Sequence, residues 1–261
     1  HAMILSRIIH HLKTQNWTAV GLEFLIVILG VVIGFQVTEW NAQRQALARA
    51  ELLTTRLIED MRDEQWRGEG NAIYYGQVSD NAQRAIDALE GRRSVDDETL
   101  VIEAFRATQI FSFPVIRTTY EELVATGTIN LIADQALMAA AVEYYETGPE
   151  NLSLQDRERA YRRAFARLAD RALYEALAEN CAEPRTLGIG DFTVLPEILD
   201  FPCDIDGQDE AIAAMAARLR NSDALLPLLR QRAIETSIES ASQIYWQNLF
   251  AEILPPVEAT Q

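Results

Sequence analysis

The chain has 261 residues, with 39 acids against 23 lysines and arginines, for a formal net charge of −16. Residues 1–17 hold Arg7 and Lys13 and no acid, which leaves −18 on the rest. A body that acidic excludes a nucleic-acid binder, because neutralising phosphates takes a basic patch.

His1-Ala2 ahead of Met3 reads as a vector-derived remnant and is set aside. Residues 3–16 place Ile4, Ile8 and Leu12 on one helical face. That suits a short interfacial helix with Arg7 and Lys13 turned to lipid phosphates, or equally the first turns of a longer helix. From Thr18 to Val37 the chain is almost wholly apolar. About 20 such residues at roughly 1.5 Å each cross the ~30 Å hydrocarbon layer. Trp17 and Trp40 flank the run about 34 Å apart along a helix, as anchors at opposite headgroup levels.

The expected organisation is a cytoplasmic segment 1–17, a transmembrane helix 18–38, a stalk helix 39–67, a periplasmic helical domain 68–254 and a tail 255–261. Arg7 and Lys13 precede the span while acids lie only within and after it, so the positive-inside rule puts the N-terminus in the cytoplasm. The apolar run is long for a signal peptide and no Ala-x-Ala-like site follows it, so a retained anchor is expected.

At about 100° per residue, Glu23, Gly30, Gly34 and Asn41 fall within about 20° of one line on the span, with Val27 beside them. Gly30-Val-Val-Ile-Gly34 is a GxxxG motif, where absent side chains let two helices approach closely. A carboxyl in hydrocarbon costs a few kcal/mol, so Glu23 should face protein or water. The face is therefore expected to mediate self-association, and a ring of such helices could enclose a pore. The blander alternative has Glu23 snorkelling from about 9 Å below Trp17 to the cytoplasmic interface.

Beyond Trp40, Leu47, Ala50, Thr54, Leu57 and Met61 recur at three- and four-residue steps, as on a coiled-coil seam. Gly68 and Gly70 are expected to end that helix, and a second is predicted over 71–90, stopping at Gly91. Ser94-Val-Asp-Asp97 reads as a capping box for a helix over 96–109. Pro114 within the aromatic stretch 110–116 biases Phe113 to an extended conformation that lies over the core. Thr118-Thr-Tyr-Glu121 is a further capping box, with Gly127 as its helix's stop. Asp134 opens a helix to about Tyr145, ended by Gly148-Pro149.

The run Leu22–Asn41, closing on Trp40-Asn41 with Arg44 after it, together with Thr119–Ile132 and Tyr144-Tyr145, resembles a widespread family of bacterial single-span proteins of uncharacterised function. The resemblance covers the first 145 residues or so. Thr38-Glu39 departs from the Ser-Asn or Asn-Asn more usual there, which leaves the anchor intact. What the resemblance implies is location and architecture, not chemistry.

Ser153-Leu-Gln-Asp156 is expected to cap a long helix to about Asn180. Gly188-Ile-Gly190 and Pro196 then mark irregular structure between Cys181 and Cys203, the only two cysteines. In an exported domain such a pair forms a disulfide, worth ~3 kcal/mol in the chain-entropy model. Asp209 starts a helix to Arg220, and Ser222 a last one to about Leu254 that tolerates Pro227 in its first turn. Pro255-Pro256 closes the ordered part. The fold class is all-α: one N-terminal transmembrane helix continuing into a stalk, then a helical bundle.

All three histidines precede the span. A histidine-free body lacks Ser-His-Asp and Cys-His catalysis and the usual histidine-based metal sites. Carboxylate pairs could still act as acid and base on a glycosidic bond, but no pair stands out among so many acids. Asp204, Asp206 and Asp209 form the one weak calcium candidate. An EF-hand aligned on Gly207 would need an acid at Pro202 and a glutamate at Ala213, and a helix N-terminus accounts for the same acids. No cofactor is expected. The function that fits is a membrane-anchored, self-associating interaction or sensor module. Its partners are the lipid bilayer, further copies of itself and an unidentified periplasmic or membrane protein. A homo-oligomeric channel around Glu23 is the alternative, and a carboxylate hydrolase a third.

Overall fold

The computed structural model describes residues 17–110, 115–148, 155–182 and 199–254, with side chains from Gly21 onward in the first helix and from Ala160 onward in the fifth. The described residues are all-helical. Helix α1 covers Trp17–Leu89, α2 Asp97–Arg106 and α3 Thr118–Ala125; a 3-10 turn, Thr128–Leu131, precedes α4, Gln135–Thr147. Helices α5 (Gln155–Leu168), α6 (Arg171–Asn180), α7 (Asp209–Arg220) and α8 (Leu225–Ile253) complete the order. A long N-terminal helix followed by a helical domain is the expected architecture. The chain divides into two compact units, His1–Leu53 and Thr54–Gln261. The expected interfacial helix at 3–16, the extended bend at Phe113-Pro114, the cap at Ser153, Gly188–Gly190, Pro196 and Pro255-Pro256 lie outside the described residues.

Over its described residues the first unit is the N-terminal part of α1. The second unit is built on one large set of buried residues, with Tyr74, Tyr75 and Val78 of α1 forming a smaller one with Leu199. Ala82, Ala85 and Ile86 of α1 cluster with Val101, Ala104 and Phe105 of α2, Tyr161 and Phe165 of α5, and Leu173 and Leu177 of α6. Met215 and Leu219 of α7 and Leu229 of α8 close the same cluster. Within each helix these residues recur at three- or four-residue steps, so one stripe faces inward.

Short polar side chains start three helices by accepting from the first free backbone N–H groups. Asp96 accepts from Thr99 N at 2.7 Å. Asp134 accepts from Ala136 N at 2.9 Å and Leu137 N at 3.1 Å, as its position predicts. Asp170 accepts from Ala172 N at 2.9 Å. The cap of α2 is thus Asp96 rather than Ser94, because Asp96 holds the extended backbone that a cap requires. Thr118 is itself helical, so its hydroxyl cannot cap α3, and Arg117 precedes that helix with no side-chain cap bond. Asp170 splits the single helix expected to Asn180 into α5 and α6. Gly127 adopts φ +69°, the left-handed conformation that a glycine stop supplies.

The largest departure lies at Gly68 and Gly70, where α1 does not end but continues to Leu89. At Gly68, and again at Gly76, another helix lies against this stretch of α1. A Cβ at Gly68 would sit 3.4 Å from Gln243 Oε1, and one at Gly76 would sit 3.6 Å from Ser240 Oγ. Ser240 Oγ donates to Ala72 O at 2.9 Å, and Ser79 Oγ donates to Ala233 O at 3.1 Å. As positions rise along α1 their partners fall along α8, so the two helices run antiparallel. Gly68, Ala72 and Gly76, four residues apart, keep one small face toward α8. The stalk seam is corrected too: Leu57 and Met61 are wholly buried within the chain and present no free coiled-coil face.

Candidate functional site

The residues of the expected span face lie on one helix. Glu23, Val27, Gly30, Gly34 and Asn41 lie on α1 and are all exposed, and a Cβ at Gly30 or Gly34 would meet nothing within 4 Å. Thr38 Oγ1 donates to Gly34 O at 2.9 Å, which satisfies that hydroxyl inside the helix. This helix is long and apolar enough to cross a membrane, and none of its most apolar window is buried by the rest of the chain. Phe24, Val27, Ile33 and Phe35 are among the large side chains left more than half exposed. Exposed apolar surface of this extent is of the kind that marks membrane or protein contact sites. Beyond this stretch the Arg44 guanidinium lies over the Trp40 ring, 5.1 Å from the centroid, a cation on an aromatic face. Arg7, Lys13 and the Trp17 side chain lie outside what is described.

In the second unit Cys181 and Cys203 form a disulfide with Cα atoms 5.3 Å apart. Arg106 of α2 grips both ends of the bridged segment. Its Nε donates to Cys181 O at 3.3 Å and its Nη2 to Phe201 O at 2.7 Å, with the guanidinium 4.9 Å from the Phe201 ring centroid. Glu98 Oε1 accepts from Ile205 N at 3.0 Å just beyond Cys203. Asp204, Asp206 and Asp209 are exposed, and among the described residues no three His, Cys, Asp or Glu side chains group as a metal ion requires. Asp209 and Glu210 occupy the first turn of α7, where negative charge favours the helix dipole.

Sequence reasoning missed a polar and aromatic centre around Glu64. This carboxylate is 5 % exposed; Oε2 accepts from Tyr144 Oη at 2.6 Å and Oε1 from Ile116 N at 3.0 Å. Rings surround it: Tyr144 contacts Tyr145, Trp246 and Phe250 at centroid distances of 5.1, 5.4 and 4.8 Å, and Tyr120 stacks on Tyr145 at 4.6 Å. Arg117 donates to Tyr145 O and lies 5.9 Å over the Tyr145 ring. Burial, then the Glu146 carboxylate bonded to its hydroxyl, pushes Tyr120 up to about 12. Burial likewise raises Tyr145, helped by the charges of Glu64 and Asp60. The signal was present in outline: Leu57, Met61, Glu64 and Gly68 continue one inward stripe, so an acid at 64 calls for a buried donor.

A second buried carboxylate, Glu103, meets Arg93 Nη2 at 2.5 Å and Arg84 Nε at 3.2 Å. Desolvation still lifts its pKa above the ordinary carboxylate value, against the pull of both arginines.

Comparison with known proteins finds no matching family model, no matching curated relative and no matching solved structure. The functional reading therefore stands on these residues.

Proposed function

We propose that the chain is a membrane-anchored helical module that acts by binding proteins, itself included, and carries no chemistry of its own. In this reading α1 spans a bacterial inner membrane with the N-terminus in the cytoplasm and the acidic, disulfide-tied domain in the periplasm. The bacterial single-span family that it resembles would then be its own.

The observation that carries the proposal is the uncovered apolar helix with Gly30 and Gly34 open on the face of Glu23. Lipid can cover leucine, valine and phenylalanine. It gains little over two glycines and a carboxyl, which a second helix covers better. The disulfide supports an oxidising compartment.

Single cysteines placed at Gly30 or Gly34, against Val32 or Gln36 about half a turn away, test the face. Disulfide cross-linking in lipid should favour the glycine positions, and equal yields around the helix would defeat self-association through this face. A C-terminal reporter should be reachable from the periplasm; access from the cytosol alone overturns the orientation and the oxidising compartment together.

The position of Glu23 beside the glycines supports a second reading, a homo-oligomeric channel with Glu23 near a wet axis. Planar-bilayer recording of wild type and Glu23→Gln separates it from the first. Silence from both proteins removes it.

A further inference from the structure

The second unit carries charges of both signs that its own chain does not neutralise. Arg84, Arg92, Arg93, Arg117, Arg171 and Arg220 each meet a carboxylate of the same chain. Among the described residues Arg162 and Arg167 of α5 and Arg218 of α7, all exposed, meet none. Arg218 Nη1 donates to Leu168 O at 2.7 Å, at the end of α5. A carbonyl takes one of its five N–H donors and leaves the charge. With 39 acids to 23 lysines and arginines, these cations are not left over for want of acids. Asp206 and Glu210, exposed just before and within the first turn of α7, likewise have no cation partner among the described residues.

Glu210 and Arg218 stand ~12 Å apart along α7 and do not meet within the chain. The helix dipole favours each sign where it stands, without neutralising either. Between them Ala213, Ala214 and Ala217 are exposed, while Ile212, Met215, Ala216 and Leu219 face the core. The geometry points to a second copy of this chain as the occupant of this face, its α7 crossing antiparallel about Ala214. A two-fold axis at that residue sets Glu210 of each copy opposite Arg218 of the other, and Ala214 opposite itself. One contact then makes both ion pairs and closes on itself. The alanines permit an approach of roughly 8–10 Å between axes, and the charges at the two ends select the partner. Asp206 adds to the acidic end, and Arg167, in the last turn of α5 that Arg218 bonds, adds to the basic end.

Parallel pairing of the same faces sets Glu210 against Glu210 and Arg218 against Arg218, and like charges reject it. A lipid surface fits less well, because the face is acidic at one end and offers no large apolar side chain to insert. The net charge of −16 on each copy opposes approach. Salt screens charges beyond ~8 Å at physiological strength, so the facing pairs decide. Two short helices in contact cover less than the ~1,200 Å² at the low end of standard interfaces, so the association is weak and reversible. None of this uses the span.

The test uses the full chain in detergent. Cys181 and Cys203 are bonded to each other, so a single added thiol reports alone. At about 0.02 M salt, Ala214→Cys should form an intermolecular disulfide about tenfold faster than Ala139→Cys, an exposed position on α4. Raising the salt to about 0.5 M should erase that advantage. In the Ala214→Cys background, Glu210→Arg alone or Arg218→Glu alone should remove it as well. Mixing those two variants should restore it in the mixed product, because each then faces opposite charge at both ends. Mixing does not mend a folding defect. Equal rates at 214 and 139, an advantage indifferent to salt, or no recovery in the mixture overturns the pairing. Gly30→Cys in the same detergent reports the span face separately: linkage at 30 with none at 214 ends this proposal and leaves the span reading intact.

Discussion

The Tyr144 hydroxyl donates to Glu64 Oε2 across 2.6 Å, joining α1 to α4 over 80 residues of sequence. It does so where the surroundings are aromatic, with Trp246 and Phe250 on the other sides of the Tyr144 ring. A buried carboxylate is expensive unless its oxygens are bonded, and a bond to a charged group is worth about 1.5–3 kcal/mol. Tyr144→Phe keeps the ring and removes the donor, so it should lower stability by roughly that amount. Glu64→Gln, which keeps an acceptor without the charge, should cost less. Urea unfolding of the full chain in detergent measures both; an unchanged midpoint for Tyr144→Phe would show that the bond adds nothing.

Glu103 gives a prediction in pH. Its folded pKa is raised above the ordinary value of 4.5 because desolvation outweighs Arg93 and Arg84. The folded state then holds the proton after the unfolded state has released it. Stability from this group is present in full below pH 4.5 and is lost as pH rises through the raised value. Glu103→Gln cannot titrate. The stability difference, wild type minus variant, should therefore fall as pH rises from about 4 toward 7. A difference that grows over that range would mean that the two arginines win.

How much of this was legible in the sequence depended on whether the signal was local. The apolar run at 18–37, the cap at Asp134, the helix start at Asp209 and the left-handed stop at Gly127 needed only neighbouring residues, and all appear where expected. Gly68 and Gly70 did not. A glycine ends a helix or admits another one, and what decides between these is Gln243 and Ser240, more than 160 residues away. The pairing of Glu64 with Tyr144 is long-range in the same way. Spacing could have hinted at both, because Gly68, Ala72 and Gly76 repeat at four residues and Glu64 continues the stripe of Leu57 and Met61.

Arg106 and the disulfide act on the same segment and should be separable. Removing the cross-link with Cys181→Ser plus Cys203→Ser should cost about 3 kcal/mol, chiefly by freeing the unfolded chain. Arg106→Met leaves Cys181 O and Phe201 O without this donor and should cost about 1–3 kcal/mol even with the bridge intact. If reduction erases the cost of Arg106→Met, the arginine works only through the bridge. If the cost persists, it holds the segment by itself. Unfolding with and without reductant distinguishes these outcomes.

Gly68 tests the account of the continuous helix most directly. In a helix interior glycine costs about 1 kcal/mol relative to alanine. An added Cβ at 3.4 Å from Gln243 Oε1 and 3.7 Å from Gln247 Cγ is in ordinary contact rather than collision. Gly68→Ala should thus be neutral or stabilise by up to about 1 kcal/mol. A leucine at the same place must push α8 away from α1 and strain the Ser240–Ala72 bond one turn along, so Gly68→Leu should destabilise by about 1–3 kcal/mol. Had α1 ended at this glycine, as the sequence pattern suggests, the order would reverse in kind: alanine would remove a stop, and leucine would have no helix to displace. Paired denaturation curves for the two variants decide the matter, because only a glycine pressed by a neighbouring helix tolerates one added methyl and rejects a larger side chain.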